Sequence, residues 1–456
     1  FLYDHHFIIK TKKNNQQKIK TMKKLLILSL IALFSSISYA QKLDKEKLDL
    51  YFRELENNNK FMGSVAISEN GKIIYTNFVG YSDVETKTKP NENTKYRIGS
   101  ISKSFTSVLI MKAIEENKIS LTTKIKHYFP EIKNAEKITI SNLLNHRSGI
   151  HNFTDDESYL TWLTQKKSEK DLVTIIKNGG SDFEPDSKAE YSNSNYVLLS
   201  FILEKIYGKS YSDILNEKII KPIGLKNTFL GKKIDLRNNE SNSYKYENGW
   251  KKEPETDLSI PIGAGAIVST PKDLLQFADA LFNGKLITIK SLELMKEMNE
   301  HFGRGLFQIT INDKKGFGHN GGIDGFSSDY IYFPAEKLAF AYTSNGKNYN
   351  ISRDLINAIL QQPYEIPSFT TITVKTEDLD QYLGTYSSKE LPLLVTITKK
   401  DAVLIAQASG QSELPLDATA KNIFKFEKAG IVLEFDPAEK KMILKQGGKN
   451  FTFTKD

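Results

Sequence analysis

Tyr96-Arg-Ile-Gly-Ser-Ile-Ser-Lys-Ser-Phe-Thr106 is the stretch on which the reading of this chain turns. A short strand runs into Gly99. From Ser100 onward, Phe105, Val108, Leu109, Ala113 and Ile114 recur at i, i+3, i+4 spacing, which predicts a largely buried helix ending near Asn117. Positions i and i+3 share a helix face, so the Ser100 and Lys103 side chains can meet. A serine hydroxyl is a weak nucleophile until a neighbour takes its proton. A lysine buried against apolar residues loses its preference for charge and can be that base. The helix N-terminus adds positive potential where an oxyanion would form. Alone, S-x-x-K is weak evidence, because a capping serine followed by a surface lysine gives the same letters.

Working outward, Leu43 to Leu55 has the apolar spacing of a helix. Gly63-Ser-Val-Ala-Ile and Lys72-Ile-Ile-Tyr flank Asn70-Gly71, a hairpin signal. Helical patterns recur at Val197–Tyr207, Tyr211–Ile219, Pro271–Leu281 and Ile289–Met298. Strands return at Tyr330–Phe333 and Leu338–Thr343, and Ser352–Gln361 closes with a helix. Strands, a helical middle, then strands again describe an α+β or α/β domain, with an antiparallel sheet built from both chain ends and flanked by helices.

Two further motifs give the serine its context. Tyr191-Ser-Asn193 lies inside Glu-Tyr-Ser-Asn-Ser-Asn-Tyr-Val-Leu-Leu, and His319-Asn-Gly-Gly322 precedes Ile-Asp-Gly-Phe. With Ser100-Ile-Ser-Lys103 they resemble the three motifs of the serine β-lactamases and penicillin-binding proteins. Tyr191-Ser-Asn193 is similar to the Y-x-N box of class C β-lactamases and related D-alanyl-D-alanine carboxypeptidases. His319-Asn-Gly321 is similar to the H-x-G variant of K-T-G. Leu143-Leu-Asn-His-Arg-Ser-Gly-Ile, Pro222-Ile-Gly-Leu-Lys-Asn-Thr-Phe and Gly263-Ala-Gly-Ala-Ile-Val-Ser-Thr-Pro-Lys-Asp-Leu extend the resemblance over about residues 45–360.

The resemblance implies a β-lactamase/transpeptidase-like fold with a helical subdomain, and an acyl-transfer hydrolase without a cofactor. Ser100 would attack a carbonyl while Lys103 and Tyr191 share the proton traffic. Tyrosine, with an ordinary pKa near ~10, acts as a base only if cations depress it, and Lys103 and His319 are the candidates. Asn193, His319, Gly321 and Gly322 would bind substrate. Asn193 would hold an amide, and the Ser100 and Gly322 N–H groups would form the oxyanion hole. Two departures stand out. His319 replaces a lysine that would hold a substrate carboxylate, and it titrates near neutral pH. Asp186 replaces the glycine expected a few residues before the Y-x-N box, which questions the shape of that loop. His146 and His151 read as structural.

Other chemistries lack support. The chain has seven histidines, no H-E-x-x-H and no cysteine, so neither a catalytic metal, a thiol nucleophile nor a disulfide is expected. No G-x-S-x-G elbow and no phosphate-cradling glycine motif occurs. The formal net charge is +8, but residues 1–40 hold seven Lys and one Asp, leaving 56 basic and 54 acidic residues beyond. That balance gives no reason to expect nucleic acid as a partner.

Met22 opens a segment with Lys23 and Lys24, an apolar run from Leu25 to Phe34, and Ser38 and Ala40 flanking Tyr39. This is the layout of a signal peptide (22–40) cleaved before Gln41, implying a periplasmic or secreted protein with no stable membrane span after cleavage. Residues 1–21 read as an extension ahead of the initiator.

Residues 41–362 are expected to form the hydrolase domain and 363–374, with two prolines, a linker. Beyond it, short alternating runs at Leu394–Thr398, Val403–Gln407, Ile423–Phe426, Ile431–Phe435, Met442–Lys445 and Phe451–Thr454 predict a small all-β barrel or sandwich over 375–456. The barrel would pack on the main domain, or bind peptidoglycan or a partner. The expected substrate is a small molecule or peptide, with peptidase or esterase action ranked above β-lactam hydrolysis. The competing reading is a catalytically idle penicillin-binding-like protein. A third makes the barrel the functional part.

Overall fold

Strand β1 (Phe61–Glu69) is buried at every position but its last, whereas β2 (Lys72–Val79) is largely exposed. That contrast follows from their places in the sheet. A computed structural model describes residues 43–446 and 449–456; the expected extension and signal segment lie outside the described residues. With β3 (Phe307–Ile311), β4 (Lys314–Ile323), β5 (Phe326–Phe333) and β6 (Leu338–Lys347), they form a six-stranded antiparallel sheet in the order β2-β1-β6-β5-β4-β3. The first strand is thus interior, held between β2 and the last strand of the domain.

Helices α1 (Lys45–Asn57) and α5 (Ser352–Ile359) lie against the sheet through Leu48, Phe52, Leu55, Leu355 and Ile359. Between the sheet halves, the chain supplies α2 (Ser102–Glu115), α3 (Asn193–Tyr207) and α4 (Pro271–Phe282). Eleven of the fourteen residues of α2 are buried. A buried hydroxyl left unpaired costs about 1–3 kcal/mol, and α2 leaves none so. Ser104 donates to the Gly305 carbonyl (2.8 Å), Thr106 to that of Gly263 (2.6 Å), and Ser102 accepts from the Ile267 amide (3.0 Å). Asn117, at a φ of +57°, ends the turn that follows.

After residues 363–374, which carry no helix or strand, eight sequential strands close a barrel between Gly384–Ser387 and Lys449–Lys455. Leu404, Met442 and Phe453, fully buried, help fill its interior. Two barrel strands escape the sequence reading. Gly384–Ser387 is only four residues long, and Leu414–Ala420 contains Pro415, which argues against a strand. Lys45–Asp456 form one unit. Lys60 pairs with Glu427 and lies 4.7 Å from the Phe369 ring centroid, and Tyr349 packs edge-on against the same ring.

Candidate active site

Ser100 sits in a single 3-10 turn, Gly99–Ile101, between the short strand Tyr96–Arg97 and α2. Gly99 takes a φ of +50°, and a side-chain carbon there would lie 2.7 Å from both the amide nitrogen and the carbonyl oxygen of Gly322. Along β4, the neighbour β3 pairs only as far as Gly318. Beyond that point the turn at Ile98–Ser100 takes the neighbour's place. Gly321 faces it so closely that a Cβ would stand 2.0 Å from the Ile98 carbonyl oxygen. Gly321 therefore serves the approach of two backbones. Gly322, with Ser100, lines the cleft.

Lys103 is fully buried. Its Nζ lies 3.0 Å from Ser100 Oγ, 2.8 Å from Asn193 Oδ1 and 2.8 Å from the Ala264 carbonyl oxygen. No carboxylate joins this set, and burial pushes the Lys103 pKa well below the ordinary lysine value. A neutral amine has two N–H groups and one lone pair. Asn193 Oδ1 and the Ala264 carbonyl can only accept, so they take the two N–H groups. The lone pair is left facing the Ser100 hydroxyl.

The Tyr191 ring centroid lies 4.8 Å from Lys103 Nζ. Burial raises the Tyr191 pKa above the usual tyrosine value, only partly opposed by the neighbouring Ser100 hydroxyl. The cations that the sequence reading offers to depress it are absent in effect. His319 is buried, and burial, then Lys103, lowers its pKa to about 3. Its Nδ1 lies 2.6 Å from the Asn320 carbonyl, which fixes the proton there, and its ring packs 4.4 Å from that of Phe307. A neutral, enclosed His319 does not supply the cation that would hold a substrate carboxylate. Asn193 is likewise engaged: besides accepting from Lys103, it donates through Nδ2 to Thr154 Oγ1 at 2.9 Å. It positions the lysine first.

Four residues outside the expected site set support it. His146 accepts the Ser192 amide at Nδ1 (3.1 Å) and stacks 4.5 Å from Tyr191, fixing that ring; burial, then Lys103, keeps it neutral. Arg97 and Asp324 pair at 2.9 Å with both side chains 2% exposed, and Asp324 also accepts the Thr256 amide and hydroxyl. They tie the turn after β4 to the cleft floor. Ile262, a β-branched residue at a φ of +20°, precedes the turn presenting the Ala264 carbonyl.

The cleft has a volume of about 550 Å³. Phe153, Tyr159, Leu160 and Leu163 form one apolar wall, and Ile260 and Pro261 form another. It shares Glu253, Pro254 and Thr256 with a larger groove of about 1080 Å³. The first wall is held from behind by His151, whose Nδ1 lies 3.0 Å from Asp182 and whose Nε2 lies 3.1 Å from Asp156. Burial alone would lower the His151 pKa, but the two carboxylates outweigh it and the net shift is upward. This clamp is complete below the unfolded histidine value of about 6.5 and is lost as pH rises through the raised folded value. We therefore expect the thermal midpoint to fall from pH 6 to pH 9 by less in His151→Gln than in the wild type; equal falls would refute the clamp.

Asp186 resolves the question of the loop before Tyr191. It adopts the left-handed conformation a glycine would take, with a φ of +70°. Asp and Asn tolerate that region better than other side chains. Its amide donates to the Arg147 carbonyl (2.8 Å) and its carboxylate accepts from Arg147 Nε (2.7 Å). The carboxylate is 69% exposed, so the pair adds little. Asp186→Gly should leave stability within about 0.5 kcal/mol, while Asp186→Val should cost about 1–2 kcal/mol, read by urea unfolding.

Comparison with known proteins identifies the family. The beta-lactamase family model matches residues 51–362. The chain is 26% identical over 440 residues to penicillin-binding protein 4* of Bacillus subtilis (strain 168), covering 89% of this chain and 97% of that one. It is 28% identical to a teichoic acid D-alanine hydrolase of Staphylococcus aureus (strain MRSA252), covering 70% and 79% respectively. A D-stereospecific amidohydrolase from Streptomyces sp. superposes with a TM-score of 0.60 at 25% identity, over 68% of this chain and 98% of that one. The chain belongs to the beta-lactamase family and is a serine hydrolase.

Proposed function

We propose that this hydrolase works through an acyl-Ser100 intermediate on a small amide, peptide or ester, with neutral Lys103 as the first base. The observation that carries the reading is the lone pair left to Lys103 once Asn193 and Ala264 have taken its N–H groups. Ser100 Oγ bonds to the substrate carbonyl carbon as its proton passes to Lys103 Nζ. The Ser100 and Gly322 amides border the cleft where the oxyanion would form; one such donor is typically worth about 2.7–4 kcal/mol. Tyr191, kept protonated, is placed to relay a proton to the leaving amine or alcohol as the carbonyl–leaving-group bond breaks. Water then repeats the cycle on the ester.

Among the described residues lining the cleft, none is basic. Substrates ending in a carboxylate, β-lactams included, therefore rank below neutral or aminoacyl amides and esters. The names of the two hydrolase relatives, one for teichoic acid D-alanine and one D-stereospecific, favour a D-aminoacyl group. The signal-peptide layout of residues 22–40 supports action in the periplasm or outside the cell, and on this reading 41–362 is the hydrolase domain and 375–456 an accessory barrel with a packed interior. The test is intact-mass analysis after incubation with a fluorophosphonate and with a labelled penicillin. A single fluorophosphonate adduct, absent in Ser100→Ala, is expected. No adduct with either probe would favour an idle binding protein, and an adduct surviving in Ser100→Ala would move the nucleophile elsewhere.

A further inference from the structure

The charges of the cleft carry information about the substrate beyond its scissile bond. Among the described cleft-lining residues the charged ones are Asp324 and Glu253. Asp324 is neutralised by Arg97 and saturated by the Thr256 amide (3.0 Å) and hydroxyl (2.6 Å). Glu253 is not. Its backbone amide donates to the Ser243 carbonyl at 2.9 Å, which fixes the main chain, but its half-buried carboxylate has no hydrogen-bond or ion-pair partner among the described residues. It stands where the cleft opens into the larger groove. On the cleft side Glu253 faces apolar walls and no basic residue, whereas Lys166, Lys167, Lys232, Lys233 and Lys252 line the larger groove beyond it. Within the cleft an unpaired carboxylate favours a cation and repels an anion, because low-dielectric surroundings screen it poorly.

We infer that Glu253 is a specificity-determining residue that receives a cationic group of the substrate, an ammonium such as the free amine of an aminoacyl ester or amide. This rests on the acyl-serine reading above and deepens it. Ser100 sets which bond breaks, and Glu253 sets which charge is admitted. A terminal carboxylate would meet no basic partner in the cleft and would have to be desolvated beside Glu253.

The test compares kcat/KM for p-nitrophenyl esters of glycine and β-alanine with their N-acetyl and N-succinyl derivatives. It is run at pH 6.5, where the free amines are protonated. We expect the order cation, neutral, anion, with the first favoured over the second by about tenfold, the size of one charge-assisted contact. The preference should shrink as salt is raised. Glu253→Gln should bring the ratio close to one and Glu253→Lys should invert it. Lys290→Gln, exposed and lining neither the cleft nor the groove, should leave the ratio as it is. Equal turnover of all three charge types, or a preference that survives Glu253→Gln, would overturn the inference while fluorophosphonate labelling of Ser100 still upheld the reaction. Failure of both turnover and labelling would overturn the two together.

Discussion

Ser100→Ala and Lys103→Arg should each lower kcat/KM for a p-nitrophenyl ester by about a thousandfold or more. The first removes the atom that forms the acyl bond. The second is more informative, because arginine keeps the length, the donors and the positive charge but cannot accept a proton near neutral pH. If Lys103 acted as a fixed cation, arginine would be a fair substitute. The geometry argues otherwise, since the Lys103 amine meets two acceptors and a hydroxyl and no carboxylate. A permanent charge in that fully buried place is also uncompensated, so Lys103→Arg should unfold at a lower temperature than Ser100→Ala. Activity within tenfold of wild type in Lys103→Arg would remove the lysine from the role of base.

Gly321→Ala should be a strongly damaging single-methyl change at the site. The added carbon would stand 2.0 Å from the Ile98 carbonyl oxygen and 2.7 Å from Ser328 Oγ, and the first of these is main chain that cannot rotate aside. The turn carrying Ser100 and the strand carrying Gly322 must then separate. We expect a loss of about 1–3 kcal/mol in unfolding free energy and at least tenfold in kcat/KM, because one backbone amide bordering the cleft moves with each. Gly322→Ala is the control for stability. Its nearest non-neighbouring atom would be 3.9 Å away, so it should unfold within about 0.5 kcal/mol of wild type. Equal stability for the two variants would contradict the packing described here.

The fold was legible because its signals are local. The i, i+3, i+4 pattern after Ser100 marks α2, and Asn70-Gly71 marks the hairpin of β1 and β2. The order of elements pointed to an antiparallel sheet from both chain ends, but the pairing of β1 with β6 is set by the fold. The strands at Phe307–Ile311 and Leu414–Ala420 went unread, the first being half-exposed and short, the second holding a proline. At the site, helix spacing joined Ser100 to Lys103 and the resemblance added Tyr191 and Asn193; in the structure Lys103 Nζ is within hydrogen-bond distance of Ser100 and Asn193 and 4.8 Å from the Tyr191 ring centroid. The sequence could not show protonation. Whether His319 carries charge depends on its enclosure by Phe307 and on Lys103, both distant in sequence. The same holds for His146 behind Tyr191 and for Arg97 with Asp324, whose partners are brought close only by the fold.

The pair Ser100 and Lys103 is tested most directly by the pH dependence of the second-order rate of fluorophosphonate labelling, followed by intact mass. The neighbours leave the window clear. His319 titrates at about 3, His146 is held well below the ordinary histidine value, and Tyr191 is pushed above the tyrosine value. His151→Gln removes the remaining histidine near the cleft. A neutral lysine base predicts that labelling rises with pH through a single ionisation well below ordinary lysine's ~10.4, in the wild type and in His151→Gln alike. A rate that stays flat up to the range of free lysine and tyrosine, or a rise that disappears with His151, would contradict it.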